Sequence, residues 1–199
     1  MKERKAVLIR VAIITATLLL AWLLFFRSGP TWQYEVVQEG VLYRASARTE
    51  GEFVAATLKI SLQGMVVAGT TEQVLDDAGV LVTAQNYGHK NRARVTSIRV
   101  EQKETPTRED AKRFIDYVGL PQRRPVLLVD TDGRLAGMLT AAYRLEVLKM
   151  PLKEVQERAA LKDAPPEIVE KVQRYAQQYA QDLDRLNAPE QPLGPAVSE

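Results

Sequence analysis

The run Pro125 to Val129, PVLLV, is apolar at every position. A strand covered on one face alternates apolar and polar residues, so a continuous run of this kind reads as a strand buried on both faces. A polar stretch, Asp130 to Gly133, follows at once, and then a long apolar helix pattern from Leu135 to Met150. A buried strand leading through a tight loop into a helix is a building block of a parallel sheet carrying helices.

The rest of the chain supplies the partners. Tyr34 to Val37 reads as an extended stretch, Glu39-Gly40 as a turn, and Val41-Leu42-Tyr43 as a second strand. Glu50 to Ile60 reads as a helix with Phe53, Ala56, Thr57 and Ile60 on one face. Leu62 to Ala68 is a buried strand, Glu72 to Ala78 a short helix closed by Gly79, and Val80 to Thr83 another strand. Gln85 to Arg92 is a polar loop holding His89, and Val95 to Val100 alternates as a strand does. Thr107 and Asp110 form a capping-box-like start for a helix that Gly119 ends, with Ala111, Phe114, Ile115 and Val118 as its apolar face. Pro151 opens a helix near Leu152. Glu167 to Leu186 carries the stripe Ile168, Val172, Tyr175, Tyr179, Leu183, Leu186 at steps of three and four. Strands alternating with helices, then helices alone, predict one α/β domain over residues 34–187 with a C-terminal helical cap. The Pro-rich 188–199 predicts a disordered tail.

The N-terminus differs in kind. Ala6 to Phe26 is apolar except for Arg10, Thr15 and Thr17. At about 1.5 Å per residue it reaches roughly 31 Å, enough to span a bilayer. Arg10 lies about one turn from its end and can snorkel to the interface. Lys2, Arg4 and Lys5 precede it, and no small-residue cleavage site follows in FFRSGP. The expectation is a cytoplasmic stretch 1–5, an uncleaved transmembrane anchor 6–26 and a linker 27–33, with the domain on the extracytoplasmic, periplasm-like side. A cleaved signal peptide is the alternative. The net charge of +2 is concentrated in this segment. The near-neutral body argues against nucleic acid as a partner. The partners expected are the membrane, through residues 6–26, and a protein partner of unknown kind. With 0 Cys there is no disulfide, zinc-thiolate site or cysteine nucleophile, and 1 His excludes a His-rich metal site. No cofactor is implied.

Gly40-Val41-Leu42-Tyr43-Arg44-Ala45-Ser46 resembles the G-x-L-Y-R-S strand of the dual-specificity branch of the protein tyrosine phosphatase superfamily. The likeness continues in order through Leu62 to Val67, through Pro106-Thr107 to Phe114, and through Pro125 to Val129. It ends with Gly137 to Leu145, which is similar to the G-x-x-x-A-x-Y-R helix after the family's phosphate loop. The resemblance implies a tyrosine-phosphatase-like sheet flanked by helices. It also implies a loop H-C-x5-R, in which a thiolate attacks phosphorus, backbone N–H groups cradle the phosphate and an Arg clamps it.

This sequence departs from that loop. The positions are Asp130, Thr131, Asp132, Gly133, Arg134, Leu135, Ala136 and Gly137. Asp130 stands where Cys belongs, Ala136 where Arg belongs, and Arg134 comes too early. A carboxylate about 5 Å from a phosphate charge costs roughly 3 kcal/mol per unit-charge pair at an effective dielectric near 20. The expectation is a degenerate loop without Cys-dependent catalysis, and a membrane-anchored binding or scaffold module. The same residues, VLLVDTDG, also resemble the first motif of the haloacid dehalogenase superfamily. Asp130 would there be nucleophile, Asp132 acid/base, and both ligands of Mg²⁺ in a metal-dependent phosphohydrolase. Against this, the segments after Asp130 read as helices and not as further strands. An EF-hand is excluded because Gly133 is the fourth loop residue, not the sixth. A third reading is a purely structural envelope protein.

Plainer roles stand beside these. Asp130, Asp132 and Gly133 suit a turn and helix cap built on local hydrogen bonds. His89 reads as a solvated loop residue, and Ser46 and Arg48 as turn residues. Arg92 and Arg94 read as surface residues able to meet an acidic partner. Trp22 fits inside the span, and Trp32 and Tyr34 fit an interfacial belt or the start of the core.

Overall fold

The structure is a computed structural model; it describes residues 33–58, 60–70, 78–100, 105–159, 161 and 164–187. The anchor 6–26, the linker through residue 32, Trp22, Trp32 and the tail 188–199 lie outside the described residues. Among the described residues no helix is long and apolar enough to cross a membrane.

Among the described residues five strands form one sheet: β1 (Gln33–Gln38), β2 (Leu42–Ser46), β3 (Gly64–Thr70), β4 (Arg94–Val100) and β5 (Val126–Asp130). Their order is β1-β2-β5-β3-β4. β1 runs antiparallel to β2, and all other pairs are parallel. PVLLV is therefore the central strand: Val126, Leu127, Leu128 and Val129 are each 0% exposed. Successive side chains alternate faces, so two cores result. Leu128 and Val66 join Phe114, Leu139 and Val172 on one face, and Leu127 and Met65 join Phe53 and Ala84 on the other. Each such buried side chain contributes roughly 1.5–3 kcal/mol.

Among the described residues six α-helices cover the faces: α1 (Glu50–Thr57), α2 (Ala78–Asn91), α3 (Arg108–Gly119), α4 (Arg134–Glu146), α5 (Leu152–Glu157) and α6 (Pro166–Asn187). α3 begins with the capping box that its sequence predicts: Thr107 Oγ1 accepts from Asp110 N, and Asp110 accepts from Thr107 N at 2.9 Å. The stripe on α6 buries Val172, Tyr175 and Tyr179.

One region overturns its sequence expectation. Val80 to Thr83 is not a strand and Gln85 to Arg92 is not a loop; both belong to α2, in whose last turn His89 lies exposed. Gly79 sits in the first turn of that helix and closes nothing, and residues 72–77 of the expected short helix lie outside the described residues. The buried line of α2 is Val80, Ala84 and Gly88, at steps of four, while Val82 is 50% exposed. A helix lying this close to the sheet needs small side chains. A Cβ on Gly88 would stand 2.7 Å from the Ala93 carbonyl oxygen and 2.5 Å from Val95 Cγ2. Arg92, at φ 58, turns the chain into β4.

Several boundaries also shift. α1 ends at Thr57 rather than Ile60 and α4 at Glu146 rather than Met150, while Ser46 is the buried last residue of β2, not a turn residue.

Candidate functional site: the loop between the central strand and α4

β5 has a parallel neighbour on each side, and its carboxyl end opens into a loop leading to the N-terminus of α4. Crevices at such carboxyl ends are where open α/β sheets bind ligands. Register places Ser46 beside Asp130 and Val67 beside Val129, so the ends of β2, β3 and β5 gather there. All six singled-out positions, Asp130 to Arg134 and Gly137, lie on the last residue of β5, this loop and the first turn of α4.

Three amides of the loop and the first turn of α4, those of Gly133, Arg134 and Ala136, are engaged by Asp side chains. Asp130 is 2% exposed; its Oδ1 accepts from Gly133 N at 2.8 Å and its Oδ2 from Ala136 N at 2.9 Å. Asp132 Oδ1 accepts from Arg134 N at 2.9 Å. These are the turn-and-cap bonds that Asp side chains offer. Gly133 takes φ 81, a left-handed conformation that glycine adopts without strain. Burial, and then the Asp132 charge, push the Asp130 carboxyl up to about 7, outweighing the N–H donors that favour its ionised form. Thr131 and Asp130 help line a cavity of about 10 Å³, walled also by Val67, Ala68, Gly69, Val80 and Leu81. A space of that size holds about one water molecule. Arg134 is 5% exposed, with its Nε 3.6 Å from Asp132 Oδ2. Gly137 faces the packing interior, where a Cβ would stand 2.9 Å from Val172 Cγ2 and 3.4 Å from Arg44 Nη1. Among the described residues no three His, Asp or Glu side chains are grouped so as to hold a metal ion. His89 lies at the opposite end of the sheet, where α2 feeds β4.

Sequence reading missed a second charged cluster behind the loop. Arg44 (0% exposed) and Arg144 (2%) both pair with Glu35 of β1. Arg44 also donates to the carbonyls of Ala159 at 3.1 Å and Arg158 at 3.3 Å, and Arg144 donates to that of Arg158 at 2.6 Å. The available signal was the pair of motifs carrying the resemblance: Arg44 ends the L-Y-R of one and Arg144 the A-x-Y-R of the other.

No protein-family model and no curated protein sequence matches this chain. Solved structures do. The core catalytic domain of the PP-IP phosphatase Siw14 from S. cerevisiae matches with TM-score 0.53 and 15% identity, over 77% of this chain and 92% of that one. Tk-PTP in its active form matches with TM-score 0.57 and 11% identity, over 75% and 97%. TpbA from P. aeruginosa matches with TM-score 0.55 and 18% identity, over 80% and 97%. At these identities the likeness is one of fold. The chain has the protein tyrosine phosphatase-like fold that its ordered motifs imply.

Proposed function

We propose that this chain is a phosphatase-like binding or scaffold module that performs no Cys-dependent phosphoryl transfer. The observation that carries this reading is the Asp130 carboxylate, which takes up the N–H groups of Gly133 and Ala136 in a chain with 0 Cys. In the fold's phosphatases, as the resemblance implies, such N–H groups serve an incoming phosphate and a thiolate attacks it. Here an internal carboxylate takes their place, the adjoining cavity holds about 10 Å³, and a second carboxylate, Asp132, opposes an incoming dianion. The positions expected for the nucleophile and the clamp are Asp130 and Ala136. The proposal includes a membrane anchor at residues 6–26 with the domain on the extracytoplasmic side, supported by the apolar run and the basic residues before it.

Hydrolysis of p-nitrophenyl phosphate by the full chain tests the first part. No turnover is expected in EDTA or in Mg²⁺. Turnover in EDTA refutes the reading. Turnover only with Mg²⁺, lost in Asp130→Asn, replaces it with the metal-dependent phosphohydrolase. Protease added to spheroplasts should digest the domain; resistance would refute the orientation, and recovery of a mature chain starting near Ser28 would refute the anchor.

A further inference from the structure

The end of the sheet opposite the loop carries an unbalanced charge. From Ala78 to Val100 there is no Asp or Glu, and His89, Lys90, Arg92 and Arg94 fall where α2 hands over to β4. Lys90, Arg92 and Arg94 are exposed. The turn before β5 adds Arg123 and Arg124 to the same end. Arg94 N donates to Gln63 O, Gln63 N donates to Pro125 O, and Tyr117 Oη donates to the carbonyl of Arg94. The Arg123 guanidinium lies 4.2 Å above the Tyr117 ring.

Two features separate this cluster from an ordinary solvated surface. Elsewhere, four exposed arginines are matched by a carboxylate three or four residues away on the same helix or its cap: Arg113 with Glu109, Arg158 with Glu154, Arg174 with Glu170, Arg185 with Asp182. Among the described residues, Lys90, Arg92, Arg94, Arg123 and Arg124 form no ion pair, although Asp116 stands on the nearby end of α3. Arg123 also buries its Nε with no acceptor, and a buried donor left without a partner is costly. Adjacent to the cluster, β4 ends the five-stranded sheet, so among the described residues one side of its backbone has no neighbouring strand. An open strand edge accepts an extended segment by main-chain hydrogen bonds.

We infer that the α2–β4 turn, together with Arg123 and the edge of β4, is a docking surface for an acidic polypeptide segment. The carboxylates of such a segment would meet Lys90, Arg92, Arg94 and Arg123 while its backbone runs beside β4. A local group of cations beside an open strand edge suits a short extended peptide better than a bilayer or a nucleic-acid backbone, both of which engage broad basic faces.

The test titrates the full chain, at about 150 mM salt where weak surface attraction is screened, with a fluorescent twelve-residue peptide of alternating Glu and Ser. Its Gln-for-Glu counterpart, vesicles containing anionic phospholipid and a single-stranded oligonucleotide serve as competitors. Saturable binding of the Glu peptide is expected, together with at least about tenfold weakening in Lys90→Gln/Arg94→Gln. Arg174→Gln/Arg185→Gln, which removes two cations elsewhere, should change affinity less than about twofold. A thermal melt confirms that both variants are folded, and Arg123→Gln supplies a second disruption should the first pair fail to fold. Absence of peptide binding, equal weakening by both pairs, or preference for the vesicles or the oligonucleotide overturns the inference. Because the cluster lies at the far end of the sheet from Asp130, each of these outcomes is independent of phosphatase activity.

Discussion

Two buried charged clusters lie within a few residues of each other, and they are built on opposite terms. Around Glu35, one carboxylate meets two guanidiniums, and the remaining donors reach the carbonyls of Arg158 and Ala159. Around Asp130, two carboxylates share one short loop and are held by backbone N–H groups. The first cluster joins β1, β2, α4 and the turn after α5; its two cations share one carboxylate, and neutral carbonyls take up further donors. The second is a helix cap in which burial and like charge leave Asp130 poorly disposed to ionise. In the first cluster opposite charges meet and the surplus cation rests on carbonyl oxygens, whereas in the second like charges meet and rest on N–H groups.

The largest expected effect breaks the Glu35 cluster. Glu35→Ala leaves two buried cations without a counter-ion and should cost about 3–5 kcal/mol; a denaturant midpoint close to that of the parent chain would show that the carbonyls suffice. Next comes the glycine between the clusters. Gly137→Ala gains helix propensity but forces Val172 and Arg44 to move, and a net loss of about 1–2 kcal/mol is expected by chemical denaturation. A gain would mean that α4 and α6 can separate freely.

The Asp130 cluster is sharpened by pH. Asp130 titrates near 3.8 when free and about 7 when folded, so the folded state holds the extra proton between those values. Its contribution is fully present below about pH 4 and is lost as pH rises through about 7. The chain should therefore melt at least about 2 °C higher at pH 5 than at pH 8, and Asp130→Asn should flatten the difference. A parent chain whose melting temperature rises over that interval would contradict the assignment. Smallest is the surface contrast. Arg174→Ala removes an exposed pair with Glu170 and should cost no more than about 0.5 kcal/mol by the same denaturant measurement.

What could be read from the sequence follows from what each signal measures. PVLLV as a central strand, the Thr107–Asp110 cap and the α6 stripe were legible because hydrophobic period and capping chemistry are local. α2 was not, because its buried line is Val80, Ala84 and Gly88. Two of those three are too small to stand out in hydropathy, while the exposed Val82 imitates a strand. At the candidate site, the local hydrogen bonds of Asp130 and Asp132 could be anticipated from Asp side-chain chemistry. Local chemistry gave no such view of the Glu35 cluster, whose partners come together across 109 residues of chain, from Glu35 to Arg144; its one signal was the two arginines that close the resemblance motifs.

That separation matters while the chain is being made. Translation at about 5–20 residues per second puts roughly 5–20 s between the synthesis of Glu35 and that of Arg144. Throughout that interval the β1–β2 hairpin can form its backbone ladder, but Arg44 has only half of its final surroundings. The carbonyls of Arg158 and Ala159 emerge later still. The first strands made are thus among the last to be secured, and the nascent N-terminal half presents an uncapped sheet edge that depends on its C-terminal half for closure.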